Sequence, residues 1–384
     1  MKLLITTNLF PTPWDPLRGA FNRQQFERLG QRHEVHVLTA VDFRERLAGV
    51  RGAVEVPGLR RDHFTFVFPP GLRSLHAACW FASLWLQHGR RLRAEKYDAI
   101  LASWAYPDAV ASGWLARRLG IPYVVKVHGS DLNVMAEGAL RRPQIGAALR
   151  RAGAVVAVSQ ALADKAVALG ADPARVHTIY NGVDAQRFAP GSREAARQRL
   201  GLGADQPLLL YVGNLKPTKG CLDLLEAFPA VLAQRPQATL VYAGAGAGGC
   251  RDELLARAAA LGCAERVSLV GAVPHAQLGD WFRAADLLCL PSHNEGVPNV
   301  VLEAMSCGIP VVASRVGGIP EVLPEFAGML VPVRDPAALS AALLEATGRA
   351  WQGERIVEHA RGFRWDDNVD RLERVLRDVV DRRA

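Results

Sequence analysis

The chain has 384 residues, more than one hydrophobic core ordinarily supports, so two domains are expected. With 49% hydrophobic and 22% charged residues it is neither a disordered nor a fibrous sequence, and no stretch approaches the length of a membrane-spanning helix. The formal charge of +8 is unevenly placed: residues 1–199 carry 28 Lys and Arg against 16 Asp and Glu, a balance of +12, and the remainder carries 18 against 22, a balance of −4. A basic half suits a nucleic acid, a phosphate-bearing substrate or an anionic membrane, and equally suits plain solubility of an Arg-rich surface. The six cysteines are scattered without a C-x-x-C pair and Met1–Ile5 is too short for a signal peptide, so a reducing cytoplasm is the expected setting.

Lys2–Thr6 reads as a buried strand, Asn8–Ala20 as a loop punctuated by Pro and Gly, Phe21–Leu29 as a helix and Val35–Thr39 as a second strand. That βαβ opening predicts a parallel sheet. Gly19 either lets the backbone approach a phosphate or simply turns the chain into the helix. Leu72–Leu86, with Trp80, Phe81 and Trp85 ahead of Arg90, Arg91, Arg93 and Lys96, is a helix packed on its own sheet or an interfacial membrane helix. Strands Asp98–Ser103, Tyr123–Val127 and Ala154–Ser159 alternate with helices Asp108–Leu119 and Ala161–Leu169. Tyr180–Asp184 is a turn, and Ala189–Ser192 has the composition of a linker.

From Pro207 the pattern restarts with strand Leu208–Val212, loop Gly213–Gly220, helix Cys221–Ala233 and strands Thr239–Ala243, Arg266–Val270, Asp286–Leu290 and Val311–Ser314. The expected division is 1–190, 191–364 and a tail, 365–384, whose amphipathic stretch Trp365–Val380 crosses back onto the first half. Two such α/β halves ordinarily face each other across a cleft.

Pro291–Pro310 is the most informative segment. A short apolar strand runs into Ser292–Gly296, Pro298 stands at a helix start, and Val301, Leu302 and Met305 recur at helical spacing until Gly308. Backbone N–H groups and the positive helix end suit a phosphate there. Glu295 on the loop and Glu303 on the helix would accept hydrogen bonds from hydroxyls, so a ribose and a hexose could flank the phosphates; alone, each is equally an ordinary helix-end or surface acid. Gly213–Gly220, with Lys216 and Lys219 ahead of a helix, is an anion grip without P-loop spacing.

Gly244–Gly249 satisfies G-x-G-x-x-G, yet it follows the second strand of its half rather than the first and lacks a following ribose-binding acid, which favours close backbone approach over a dinucleotide cofactor. His128, with Asp131 three residues on, stands at the carboxyl end of a strand, either orienting a hydroxyl and moving a proton or merely fixing a loop. No D-x-D triad or metal-spaced His/Cys cluster occurs, leaving lysine and backbone to neutralise a diphosphate.

The E-x7-E pair in EGVPNVVLEAMSCGIPVVAS, followed by Val316–Glu321, resembles the donor-binding signature of family 4 retaining glycosyltransferases of GT-B fold. Arg18-Gly19-Ala20-Phe21, His128-Gly129-Ser130-Asp131 and Tyr180–Asp184 are similar to further segments of that family, so the likeness covers nearly the whole chain. It implies two Rossmann-like parallel-sheet domains. It also implies transfer of a hexose-type sugar from a UDP- or GDP-linked donor to a glycan or lipid-linked acceptor, with retention and without metal or other cofactor. Glu303 would hold the ribose, Glu295 the sugar hydroxyls, Lys219 the leaving diphosphate, and His128 the sugar or transition state. Gly19, Gly213, Asn214, Lys216, Gly244, Gly296, Val297, Pro298 and Asn299 would complete the donor site. Asn214 stands where the family often has arginine, so Lys216 either supplies that charge or the site works with less. Cell-surface polysaccharide or glycolipid synthesis, with peripheral contact at the inner membrane face, is the implied setting. The alternatives are a different GT-B enzyme such as a sugar-nucleotide epimerase or a phosphorylase, a non-catalytic nucleotide-sugar-binding module, and an NAD-linked oxidoreductase.

Overall fold

The computed structural model describes residues 1–16, 18–49, 55–246 and 249–382. Leu17 of the first loop, Ala247 and Gly248 of the glycine run and the last two residues of the tail therefore lie outside the described residues. Among the described residues thirteen strands form two sheets: β1 (Lys2–Thr7), β2 (Glu34–Asp42), β3 (Leu59–Phe66), β4 (Ala99–Ser103), β5 (Tyr123–Val127), β6 (Ala154–Ala157) and β7 (Val176–Thr178) in one, and β8 (Leu208–Val212), β9 (Thr239–Ala243), β10 (Val267–Gly271), β11 (Leu287–Leu290), β12 (Val311–Ser314) and β13 (Gly328–Val331) in the other. The orders are β3-β2-β1-β4-β5-β6-β7 and β10-β9-β8-β11-β12-β13, and the paired strands run parallel. Each sheet reverses its winding once, between β1 and β4 and between β8 and β11. Loops diverge at such a reversal and leave a crevice at the carboxyl ends of the strands.

The chain separates into one unit of Met1–Asn181 with Trp365–Ala384 and a second of Gly182–Arg364. The division falls at Asn181, nine residues ahead of the expected position 190. Ala189–Ser192, expected as a linker, belongs to the second unit: the Ser192 hydroxyl accepts from Ala195 N at 3.0 Å and caps helix Arg193–Leu200. The Ala189 carbonyl accepts from Arg283 at 3.2 Å.

In the first unit, apolar side chains fill both faces of the sheet. One face takes helices His76–Ala94, Val110–Leu119 and Arg142–Arg151. Trp80 is fully buried there, edge-on to Phe64 at 4.7 Å, which removes it from any membrane-facing role; Trp85 is half-buried under Arg93. The opposite face takes helices Ala20–Gly30 and Trp365–Asp381, whose Val369, Leu372, Leu376 and Val379 recur at helical spacing and enter the core. Asn368 Nδ2 donates to the Tyr180 carbonyl at 2.6 Å and Trp365 Nε1 to Gln24 at 2.9 Å, so the tail is fixed by polar contacts as well as by burial. With the tail counted in, the first unit holds 29 basic and 20 acidic residues and the second 17 and 18. No helix among the described residues is long and apolar enough to cross a membrane.

Candidate active site

In the second unit, the Lys219 turn follows β8 and the Glu295 loop follows β11, the two strands at the winding reversal. Glycines let these loops meet. Gly220 has φ +68, and a Cβ there would lie 1.9 Å from the Pro291 carbonyl, so only glycine permits the contact. Lys219 Nζ then sits 2.6 Å from Glu295 Oε1. Gly244 plays a similar part after β9: a Cβ would meet the Gly213 carbonyl at 1.8 Å, which accounts for this glycine by backbone packing. On the far side, the Gly318 N–H donates to the Gly296 carbonyl at 2.7 Å, holding the Glu295 loop from β12.

Helix Asn299–Ser306 begins after Pro298 and carries Glu303 on its buried face, where His275 Nε2 lies 2.8 Å from Glu303 Oε1. Arg187 can only donate, and it bonds His275 Nδ1 at 2.9 Å; Nε2 therefore holds the imidazole proton and donates to Glu303. A second pair, His293 with Asp223 at 2.6 Å, ties the Glu295 loop to the helix that follows Lys219. Val297 is buried beside Gly296, whereas Asn214 and Lys216 are exposed at the mouth of the β8 loop. The unit thus pairs Lys219 with Glu295 across two loops and carries Glu303, with its partner His275, on the helix that follows the second loop.

In the first unit the corresponding loops follow β1, β4 and β5. Gly19, at φ +61, packs so closely on the Leu9 carbonyl that a Cβ would lie 2.3 Å from it, and it opens helix Ala20–Gly30. That helix presents Asn22 to the Leu9 carbonyl at 2.9 Å and to Ser103 Oγ at 3.0 Å. Ser103 Oγ is in turn 2.8 Å from His128 Nε2, and the rings of Phe21 and Trp104 flank the imidazole. Burial and the neighbouring Lys126 push the His128 pKa well below its ordinary value; Lys126, stripped of water and bonded to Gln25 at 2.7 Å, is itself lowered to about 7.

Asp131, three residues on from His128, does not bond its ring. The Asp131 carboxylate is occupied by the backbone N–H groups of His128, Gly129, Ala105 and Leu132, so it builds the loop and leaves the imidazole to Ser103. Ser103, Asn22, His275 and Arg187 were not legible as site residues because each reaches its partner across the fold rather than along a motif.

Residues 22–187 match the model described as Glycosyltransferase Family 4, and residues 206–348 match Glycosyl transferases group 1. The chain is similar to D-inositol 3-phosphate glycosyltransferase 1 of Catenulispora acidiphila, with 36% identity over 308 residues covering 74% of this chain and 73% of that protein. Among solved structures it resembles sucrose-phosphate synthase from Thermosynechococcus elongatus, with a TM-score of 0.80, 22% identity and 99% of each chain covered. It also resembles Anabaena HepE in complex with UDP and glucose, with a TM-score of 0.77, 22% identity and coverage of 98% of this chain and 100% of that one. The doubled parallel-sheet architecture agrees with these folds, the E-x7-E segment lies inside the matched region, and the chain belongs to glycosyltransferase family 4, of the GT-B type.

Proposed function

We propose that the chain transfers a hexose from a UDP- or GDP-linked donor with retention of anomeric configuration, using neither a metal ion nor any cofactor beyond the donor. The observation that carries this reading is the convergence of Lys219 on Glu295 at 2.6 Å, with Glu303 on the helix that follows. Lys219 neutralises charge developing on the departing diphosphate, where a preorganised donor acts most strongly. Glu303, held by His275, takes the ribose hydroxyls, and Glu295 exchanges part of its bond with Lys219 for hydroxyls of the sugar. The Anabaena neighbour crystallised with UDP and glucose supports the donor class.

For the acceptor, the names of the curated relatives favour a small phosphate-bearing polyol over the glycan or lipid-linked acceptor that the sequence alone suggested. The surplus of basic residues in the first unit supports a phosphate on the acceptor. Peripheral docking on an anionic membrane is the second reading, favoured by exposed Leu72, Leu75 and Leu86 in that same arginine-rich unit. Transfer assays with inositol 3-phosphate and with lipid-linked glycans, run with UDP- and GDP-hexoses in the presence of a chelator, separate these. Product from the polyol phosphate with the donor's anomeric configuration supports the account. No nucleotide release from either donor class, or release abolished by the chelator, contradicts it. Flotation with anionic vesicles tests the membrane reading on its own.

A further inference from the structure

Helices Val110–Leu119 and Arg142–Arg151 of the first unit leave a space between them that neither fills. Small residues are the cause. Gly113 faces Tyr123 so closely that a Cβ would lie 3.1 Å from the phenol oxygen. Ala116 follows on the same helix, and the second helix contributes Ala147 and Ala148. The resulting cavity measures about 700 Å³, within the range of small-molecule sites. Trp114, Ile121 and Pro122, each only half-buried, give it apolar walls. It lies at the amino end of β5, whereas His128 follows the carboxyl end of that strand, so the cavity is separate from the candidate active site.

The polar groups of the cavity narrow its ligand. The Tyr123 hydroxyl donates to the Ala148 carbonyl at 2.6 Å. The Gln144 amide nitrogen donates to the carbonyls of Leu140 at 2.8 Å and Ser74 at 3.1 Å, so these donors are spent. A sugar, with a hydroxyl on most carbons, would find few partners here. Arg117 and Arg151 differ. Both line the cavity from the exposed last turns of their helices, and neither has a hydrogen-bond or ion-pair partner among the described residues. By contrast Arg91, in the last turn of the neighbouring helix His76–Ala94, pairs with Asp62 and Glu95. None of the described residues lining the cavity is acidic.

We propose that this cavity is a second ligand site, for an anionic amphiphile of one chain: a fatty acid whose carboxylate engages Arg117 and Arg151 and whose hydrocarbon lies against Trp114, Ile121 and Ala147. Two guanidiniums without acid partners complement one carboxylate, a group with which arginine forms strong paired hydrogen bonds. The apolar walls take a chain that needs no further donors. The site does not rest on the proposed glycosyl transfer.

Calorimetric titration of the full chain with dodecanoate, kept below its micelle threshold, is expected to show one bound molecule. Acetate, which lacks the chain, and dodecyltrimethylammonium, which carries the opposite charge, are expected not to bind. Arg117→Ala and Arg151→Ala should each weaken dodecanoate about tenfold, the scale of one hydrogen bond to a charged group, at an unchanged melting temperature. Ala147→Trp, which fills the cavity from a half-buried position, should abolish binding, with its melting temperature as the check on folding. No binding of dodecanoate, equal binding of the cationic amphiphile, or an affinity unaltered in both arginine variants or in a folded Ala147→Trp protein would overturn the site. Binding to phosphatidylglycerol vesicles without binding of dodecanoate would assign the arginines to a membrane surface and overturn it as well.

Discussion

The two units treat their polar site groups in opposite ways. In the second, each carboxylate has a side-chain partner: Lys219 for Glu295, His275 for Glu303 and His293 for Asp223. In the first, polar groups are buried and steered toward neutrality: the His128 pKa lies well below its usual range, Lys126 is lowered to about 7, and Asp108, without side-chain partners among the described residues, is raised to about 8. Ion pairs that reach the surface can be exchanged for a charged ligand at modest cost, because the ligand's own groups replace the partner. Neutral, hydrogen-bonded groups discriminate hydroxyls by geometry instead. The proposed function therefore draws its ionic chemistry from the second unit.

The largest effect expected from breaking this arrangement is structural. Leu372→Ala leaves a cavity where the tail helix enters the core of the first unit and should cost about 2–5 kcal/mol. Denaturant unfolding followed by a tryptophan probe in each unit should show the loss in the first transition alone; equal losses in both would mean that the tail is not specific to that unit. Next, Lys219→Ala should lower kcat by about 10²–10³, as for removal of one preorganised donor to a charge developing in the transition state. A loss below tenfold would take the ionic role away from the second unit.

A smaller effect is a difference in pH dependence. Burial holds His36 and His63 at about 4 in the folded first unit, below the ordinary value of 6.5. Between those values the unfolded chain binds more protons than the folded one, so this stability is present above about 6.5 and is lost as pH falls toward 4. His36→Gln should flatten that slope in a series of melting temperatures, and an unchanged slope would assign the acid sensitivity elsewhere.

Much of this frame is legible in the sequence, for a physical reason. Leu208–Val212, Thr239–Ala243 and Val311–Ser314 are strands buried on both faces, and such strands read as nearly continuous apolar runs. The edge strand β3 is not legible, because half-exposed Arg60, Arg61, Asp62 and His63 interrupt it, and β7 has only three residues. Ala189–Ser192 has the composition of a linker, yet Ser192 works as a helix cap, a distinction that depends on the helix it meets. Within the site, Glu295, Glu303 and Lys219 stand out because loop, helix start and acid spacing are local features. Ser103 and His275 are silent, since their contacts join positions 25 and 28 residues apart.

The most direct test of the central claim, that the second unit's paired charges hold a nucleotide sugar, is calorimetric titration of UDP and GDP into the wild-type and Glu303→Ala proteins. One nucleotide should bind the wild type at a single site and bind the variant about 10- to 100-fold more weakly, the scale for hydrogen bonds to a charged group. Equal affinity in the two proteins, or no binding of either nucleotide to the wild type, would contradict the account.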